Sequence, residues 1–359
     1  LQKSLRFVFH RHEILRTALR RDQDLLLQHI HPPGELGLPW EFHETPAISP
    51  DDLQARLQAW IRIPFALDQA PLWKAALFQG LADEHLFVLC FHHAVIDEWS
   101  TRVLLRELAA VYQVAIQGLA PSLPPPAAQY AEFTAWHRRW LDTDARQDSQ
   151  EYWQRELRNL PAAPHLPSLD ADPGVSIEAG GIQEFTVEGR LAERLTRLAQ
   201  QENVSRFVLV LSAFQAWLHR HLGQEDVVVS TPVAHRHRVE FHDLVGFCLN
   251  TIPIRSRLGG AVPFQAWVDQ TRRQTQDAMR HAEYPFERIV ELVSRGRDPQ
   301  DSPLHQFMFV LVEEGSGFRS LGSAQAHPIP LRTGTAKNEL TDRKSTRLNS
   351  SHIPLSRMP

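Results

Sequence analysis

The sequence predicts a mixed α/β (α+β) protein built as two lobes, and three observations carry that prediction. At 359 residues the chain is long enough for two ordinary cores. Both halves interleave strand-like and helix-like patterns, without a Rossmann or P-loop glycine signature. Between the halves lies LPAAPHLPSLDADPG, residues 160–174, rich in proline and poor in apolar periodicity, which reads as a linker. The lobes are therefore expected over residues 1–159 and 175–341.

The elements follow from local chemistry. The chain opens in a helical pattern. Ser49-Pro50-Asp51-Asp52 writes a helix start: a capping serine, proline at the first helical position and acids at the positive helix end. Leu53, Leu57 and Ile61 then form one apolar stripe. LWKAALF and HLFVLCF flank the turn-like GLADE and predict a hairpin whose second strand runs into His92-His93. From Ser100, which is placed to cap it, a helix carries Leu104, Leu105, Leu108 and Val111, and a further helix follows from Ala127. In the second half, IQEFTVEG, DVVVSTPV, LVGFCLNTIPIRSR and FMFVLVE predict strands. LAERLTRLAQQ and FVLVLSAFQAWLHRHL predict helices, and an amphipathic stretch runs from Pro263 to Val293.

Composition excludes several functions. A net charge of -4 leaves no basic field for nucleic acid or an anionic membrane, so neither is an expected partner. No apolar run approaches the roughly 18 residues of a membrane span. The two cysteines, Cys90 and Cys248, sit in apolar runs as small hydrophobes, which suits a reducing cytoplasm. The pairs His10/His12, His29/His31 and His235/His237 have strand spacing for a metal, but no cysteine or carboxylate pattern completes a site, so no metal is expected. His235 to Arg238 (HRHR) reads as a short solvated loop, and Trp136, Trp140 and Trp153 as packing residues on helices. The tail DRKSTRLNSSHIPLSRMP, residues 342–359, resembles a translated sequencing adapter and is expected to pack against nothing.

The chemistry concentrates in Phe91-His92-His93-Ala94-Val95-Ile96-Asp97-Glu98-Trp99-Ser100. An imidazole can manage a nucleophile's proton in acyl transfer, and a carboxylate four residues on can fix local geometry. If both histidines continue a strand, only one of them faces a given cavity.

This string is similar to the HHxxxDG motif of nonribosomal peptide synthetase condensation domains, and further motifs of that family follow in family order. RHEILRT (Arg11 to Thr17) resembles RHExLRT, YAEFTAW (Tyr130 to Trp136) resembles YxDFAxW, and VGFCLNTIPIR (Val245 to Arg255) resembles IGxFVNTxxxR. YPFE (Tyr284 to Glu287) and RDPQDSPLHQFMF match two later segments. The resemblance implies two chloramphenicol-acetyltransferase-like lobes in a V-shaped pseudo-dimer, here truncated at both ends, with a tunnel between them. It implies amide bond formation between a donor acyl or peptidyl thioester and the amine of an acceptor aminoacyl thioester. Both would be held on 4'-phosphopantetheine arms of donor and acceptor peptidyl carrier proteins, beside an adenylation domain. The domain itself would bind no cofactor. His93 would be catalytic and His92 structural. Asp97 would pair with Arg236 of the C-terminal lobe, and Trp99, Ser100 and Asn250 would support the site.

Glu98 stands where the family usually has glycine. It would be strained if that glycine serves a positive φ, or would narrow the tunnel if it only leaves space. Two other functions stay open. An epimerization domain shares the fold, but its motif usually places serine before tryptophan, the reverse of Trp99-Ser100. A noncatalytic condensation-like module that recruits a partner enzyme is favoured by Glu98 and opposed by the intact His92, His93 and Asp97.

Overall fold

The computed structural model describes the chain except residues 24, 45–48, 80–83, 162–180, 188, 260–261, 295–302, 314–319, 328, 330–339, 348–349 and 358–359. It divides into two compact units: Leu1–Arg138 with Arg236–Cys248 and Ser316–Thr333, and Arg139–His235 with Leu249–Gly315 and Gly334–Pro359. The first of these boundaries follows Arg138; the linker predicted over residues 160–174 lies mostly outside the described residues. Spatial contacts decide membership of a unit, and composition does not report them.

The first unit contains α1 (Gln2–Arg11), a hairpin of β1 (Thr17–Asp22) and β2 (Leu25–Ile30), β3 (Trp40–Glu44), α2 (Pro50–Ile61), β4 (Trp73–Gln79), β5 (His85–Phe91), α3 (Glu98–Ala115) and most of α4 (Tyr130–Trp140). As predicted, the Ser49 hydroxyl caps α2 by accepting from the Asp52 amide. Strands β3, β4 and β5 form one sheet in that order, β3 parallel and β5 antiparallel to β4. Its core joins Leu5, Val8 and Phe9 of α1 to Trp73 of β4 and Leu104 and Leu108 of α3. A buried polar cluster ties α3 to the end of α1: Glu107 accepts from His12 Nε2 at 2.7 Å and from Arg11 Nε at 3.1 Å.

Burial alone would raise the Glu107 pKa, but the His12 and Arg11 contacts outweigh it and hold the carboxyl below its ordinary value. A carboxyl depressed in the folded state stabilises above its unfolded pKa, about 4.3, and that contribution is lost as the pH falls through the folded value. Glu107→Gln is therefore expected to lower the melting temperature at neutral pH and to lose less further stability than the parent on acidification below about pH 4. A melting-temperature gap that stays constant from neutral to acid pH would refute this.

The second unit contains α5 (Asp144–Glu156), β6 (Gly181–Val187), α6 (Gly189–Gln201), α7 (Arg206–Leu222), β7 (Asp226–Val233), β8 (Asn250–Arg257), α8 (Phe264–Arg280), α9 (Phe286–Val293) and β9 (Phe307–Glu313). A short hairpin, β10 (Ser320–Leu321) and β11 (Ala324–Gln325), returns to the first unit, and β12 (Leu340–Arg347) and β13 (Ser350–Arg357) close the second. The six-stranded sheet runs β6-β13-β12-β9-β7-β8, with β7 and β8 antiparallel and β9 and β12 parallel. Tyr152, Trp153 and Leu157, on and just after α5, are buried with Leu211, Leu218, Val227 and Ile252, which is why α5 belongs here and not to the first unit.

Two predicted elements need correction, and a third is refined. The strand expected over LVGFCLNTIPIRSR begins only at Asn250, because the Gly246 and Cys248 amides bond to the Ser100 and Asp97 side chains instead of a neighbouring strand. The stretch from Pro263 to Val293 is two helices, interrupted before Pro285, where a proline ring disfavours helical backbone in the preceding residue. Residues 342–347 and 350–357, the described part of the tail, do not stand clear of the fold. Residues 342–347 continue β12 alongside β9, and β13 pairs with β12 and β6. Main-chain hydrogen bonding is largely indifferent to sequence, so an open strand edge can accept a polar segment that no core pattern would predict.

Candidate active site

Strand β5 ends at Phe91, so the two histidines are not alternate residues of a strand as expected. Residues 93–95 form a 3-10 turn whose cap is His92, the imidazole Nδ1 accepting from the Ala94 amide at 3.1 Å. Two hydrogen-bonding roles therefore separate the rings. His92 accepts at Nδ1 and sets its ring edge-on to Phe65, 6.3 Å away between centroids. His93 is exposed and its Nδ1 lies 2.7 Å from the Ile96 carbonyl oxygen. A carbonyl only accepts, so His93 Nδ1 carries the proton, and in the neutral ring Nε2 presents a lone pair.

Asp97 follows as the N-cap of α3, its Oδ1 accepting from the Ser100 amide at 2.8 Å. Asp97 is thus the cap, and Ser100 is not. A carboxylate supplies the negative charge that the positive helix end favours. The same carboxylate meets Arg236 in a two-pronged ion pair, Nη2 to Oδ1 at 2.9 Å and Nη1 to Oδ2 at 2.8 Å, with both side chains about 1% exposed. Its Oδ2 also accepts from the Cys248 amide at 3.0 Å. Arg236 lies in the second half of the sequence, yet segment Arg236–Cys248 belongs to the first unit, so this pair is internal to that unit. The basic run His235 to Arg238, read as a solvated loop, is half buried, with Arg236 6% and His235 9% exposed.

Ser100 is fully buried. Its hydroxyl donates to the Gly246 carbonyl at 2.8 Å and accepts from the Gly246 amide and from Arg236 Nη2. Trp99 stays 41% exposed, its indole donating to the His242 carbonyl at 2.7 Å. Asn250 belongs to the second unit. Its amide group donates to the Ala282 and Tyr284 carbonyls and accepts from the Phe286 amide, so it fastens the turn between α8 and α9 and is not part of the Asp97 cluster. Glu98 opens α3 without positive φ and pairs with Arg102 at 3.2 Å, so the strained alternative is excluded.

Residues that sequence reasoning did not assign complete the site. Gly246 lies flat against Tyr130: a methyl group placed on it would stand 2.2 Å from the ring. Tyr130 donates its hydroxyl to the Phe247 carbonyl at 2.9 Å, and the Phe247 ring stands edge-on to His93, 5.0 Å between centroids at 81°. Both segments were visible as motifs, but nothing in their spacing says that they meet. Burial, opposed by Arg236 and assisted by Asp97, pushes the Cys248 thiol up to about 12, so it stays a neutral core group as expected. Gly246→Ala is expected to destabilise the protein by about 1–3 kcal/mol through overpacking against Tyr130, and Tyr130→Ala in the same chain to recover part of that loss. Denaturant unfolding of the single and double variants measures both.

The three HxH pairs are not strand faces. His12 is taken up by Glu107, His31 by Glu35 at 3.1 Å, and β7 ends at Val233 before His235.

The first unit thus brings together an exposed histidine held through Nδ1 and a buried aspartate-arginine pair within a mixed α/β fold. Solved structures share the fold. The X-domain from teicoplanin biosynthesis superposes with a TM-score of 0.87 at 24% identity, over 99% of this chain and 81% of that one. The first condensation domain of the calcium-dependent antibiotic synthetase gives 0.81 at 19%, over 100% and 81%. The condensation-domain family model matches residues 1–342, and the chain belongs to that family. Curated relatives are peptide synthetases. A linear gramicidin synthase chain of Brevibacillus parabrevis is 32% identical over 89% of this chain and 6% of its own length. Malpinin synthetase of Mortierella alpina is 32% identical over 95% and 4%. Phosphinothricin tripeptide synthetase PhsC of Streptomyces viridochromogenes is 34% identical over 85% and 28%. The chain thus spans a small fraction of these multidomain relatives. Among the described residues no helix is long and apolar enough to cross a membrane.

Proposed function

We propose that this condensation domain forms amide bonds, with His93 as the catalytic group. The observation that carries the reading is the Nδ1 to Ile96 carbonyl bond, which leaves Nε2 as an acceptor on an exposed imidazole. The substrates are a donor acyl or peptidyl thioester and an acceptor aminoacyl thioester, each on the 4'-phosphopantetheine arm of a carrier protein. The acceptor amine attacks the thioester carbon and its nitrogen becomes positively charged. That nitrogen is then far more acidic than a free ammonium, and the His93 lone pair takes its proton. The tetrahedral centre collapses, the carbon-sulfur bond breaks, and the leaving thiolate recovers the proton from the imidazolium as a thiol. Asp97, Arg236 and Ser100 hold the start of α3 and the backbone at Gly246 and Cys248, on either side of the Phe247 that meets the His93 ring. All three are committed to buried hydrogen bonds, which suits support rather than proton transfer.

The adjacent carrier and adenylation domains follow from the relatives' multidomain character, and the adapter origin of residues 342–359 remains part of the same proposal. A second reading has one observation in its favour. The X-domain, whose fold this chain shares, has been solved in complex with OxyB, and recruitment of a partner enzyme is the corresponding noncatalytic function. Intact His93 geometry favours catalysis. Incubation with a loaded donor carrier and a loaded acceptor carrier, followed by mass analysis of the acceptor arm, tests it. Peptidyl product on the acceptor supports condensation, and an unchanged acceptor with both carriers loaded rejects it.

A further inference from the structure

We propose that Phe247 is a positioning residue for His93: an aromatic wall, rigidly mounted, that confines the imidazole to the one orientation in which Nδ1 bonds Ile96 and Nε2 points outward. The inference rests on the reading of His93 as the catalytic group.

One hydrogen bond leaves an imidazole free to swing about its own axis, and on an exposed side chain that motion is fast. Among the described residues His93 has one such bond, to the Ile96 carbonyl, and one ring neighbour, Phe247. The contact is nearly perpendicular at 5.0 Å, the geometry that aromatic rings prefer. Such a contact constrains only if the second ring is itself fixed, and the mounting of Phe247 is unusually complete. The amide and carbonyl of Gly246 both bond to the Ser100 hydroxyl, the Phe247 carbonyl accepts from Tyr130, and the Cys248 amide donates to Asp97. Gly246 is pressed against the Tyr130 ring, which leaves the segment no room to slide. Three consecutive residues are therefore anchored through their main chain, two to the buried Ser100 and Asp97 and one to the half-buried Tyr130. The side chain of the middle residue is left to meet the imidazole. Main-chain anchoring also leaves the identity of that side chain unconstrained by the fold, so residue 247 can change without loss of the bracket.

The test compares Phe247→Ala, Phe247→Leu and Phe247→Tyr with the parent protein. The imidazole signals of isotope-labelled histidines are followed by NMR beside carrier-to-carrier transfer assays. Phe247→Tyr keeps the ring and is expected to keep a single Nδ1-protonated His93 signal and near-parent transfer. Phe247→Leu keeps apolar bulk, guards against misfolding of the alanine variant, and is expected to give mixed tautomer signals. Both ring-lacking variants are expected to lose about ten- to a hundredfold in kcat with little change in KM, the scale of a small misplacement of a catalytic group. An unchanged His93 signal in Phe247→Ala and Phe247→Leu would overturn the inference whatever the transfer rate. So would parent-level transfer in those variants beside a His93→Ala protein that has lost it. Failure of the catalytic reading shows itself differently: His93→Ala would then transfer normally, while the tautomer signals still report whether Phe247 orients the ring.

Discussion

Asp97→Ala and Arg236→Ala are each expected to cost about 3–5 kcal/mol of stability, the usual loss when one partner of a buried ion pair is removed. The geometry supports the upper part of that range. Both side chains are about 1% exposed, so the surviving partner cannot be rescued by water without opening the unit. Asp97 also holds the Ser100 and Cys248 amides, so its loss releases the start of α3 and the bracket that carries Phe247 together. Replacing both partners is expected to cost less than the sum of the single losses, because no lone buried charge then remains. Denaturant unfolding of the two single variants and the double variant measures this. Single losses under about 1 kcal/mol, the value of an exposed pair, would refute the assignment.

Much of this was legible in the sequence, and the reasons differ by element. Strands β4, β5, β7 and β9 were readable because their apolar runs are short and bounded by turn chemistry. Helix α2 was readable because Ser49 and Pro50 announce it. The Asp97 and Arg236 pair was reachable through family resemblance alone, since the two stand 139 positions apart and no local rule links them. What stayed hidden is what depends on tertiary hydrogen bonding. Residues 245–249 look like a strand, but the Gly246 and Cys248 amides are spent on Ser100 and Asp97. The cap of α3 went to Asp97 over Ser100 because the carboxylate also satisfies Arg236, a partner that local preference cannot see. Unit membership was hidden for the same reason: segment Arg236–Cys248 follows its contacts and not its place in the chain.

His93→Ala is expected to abolish most transfer without unfolding the protein, whereas His92→Ala is expected mainly to lower stability. The two rings sit side by side in the chain, and their surroundings set them apart. His93 is exposed and makes its hydrogen bond through Nδ1, so alanine there removes the Nε2 acceptor and leaves the core untouched. Loss of a positioned proton acceptor costs about a hundred- to ten-thousandfold in rate. His92 is half-buried and caps the 3-10 turn that carries His93, so alanine there removes a hydrogen bond worth about 1 kcal/mol together with its packing near Phe65. The turn is short, and a looser turn also displaces His93, so a modest fall in transfer is expected to accompany the fall in melting temperature. The comparison is thermal melting of both variants beside transfer between loaded carriers. Near-normal transfer by a folded His93→Ala protein would reject the catalytic assignment. Recruitment of a partner enzyme would then become the better account of why this fold was kept.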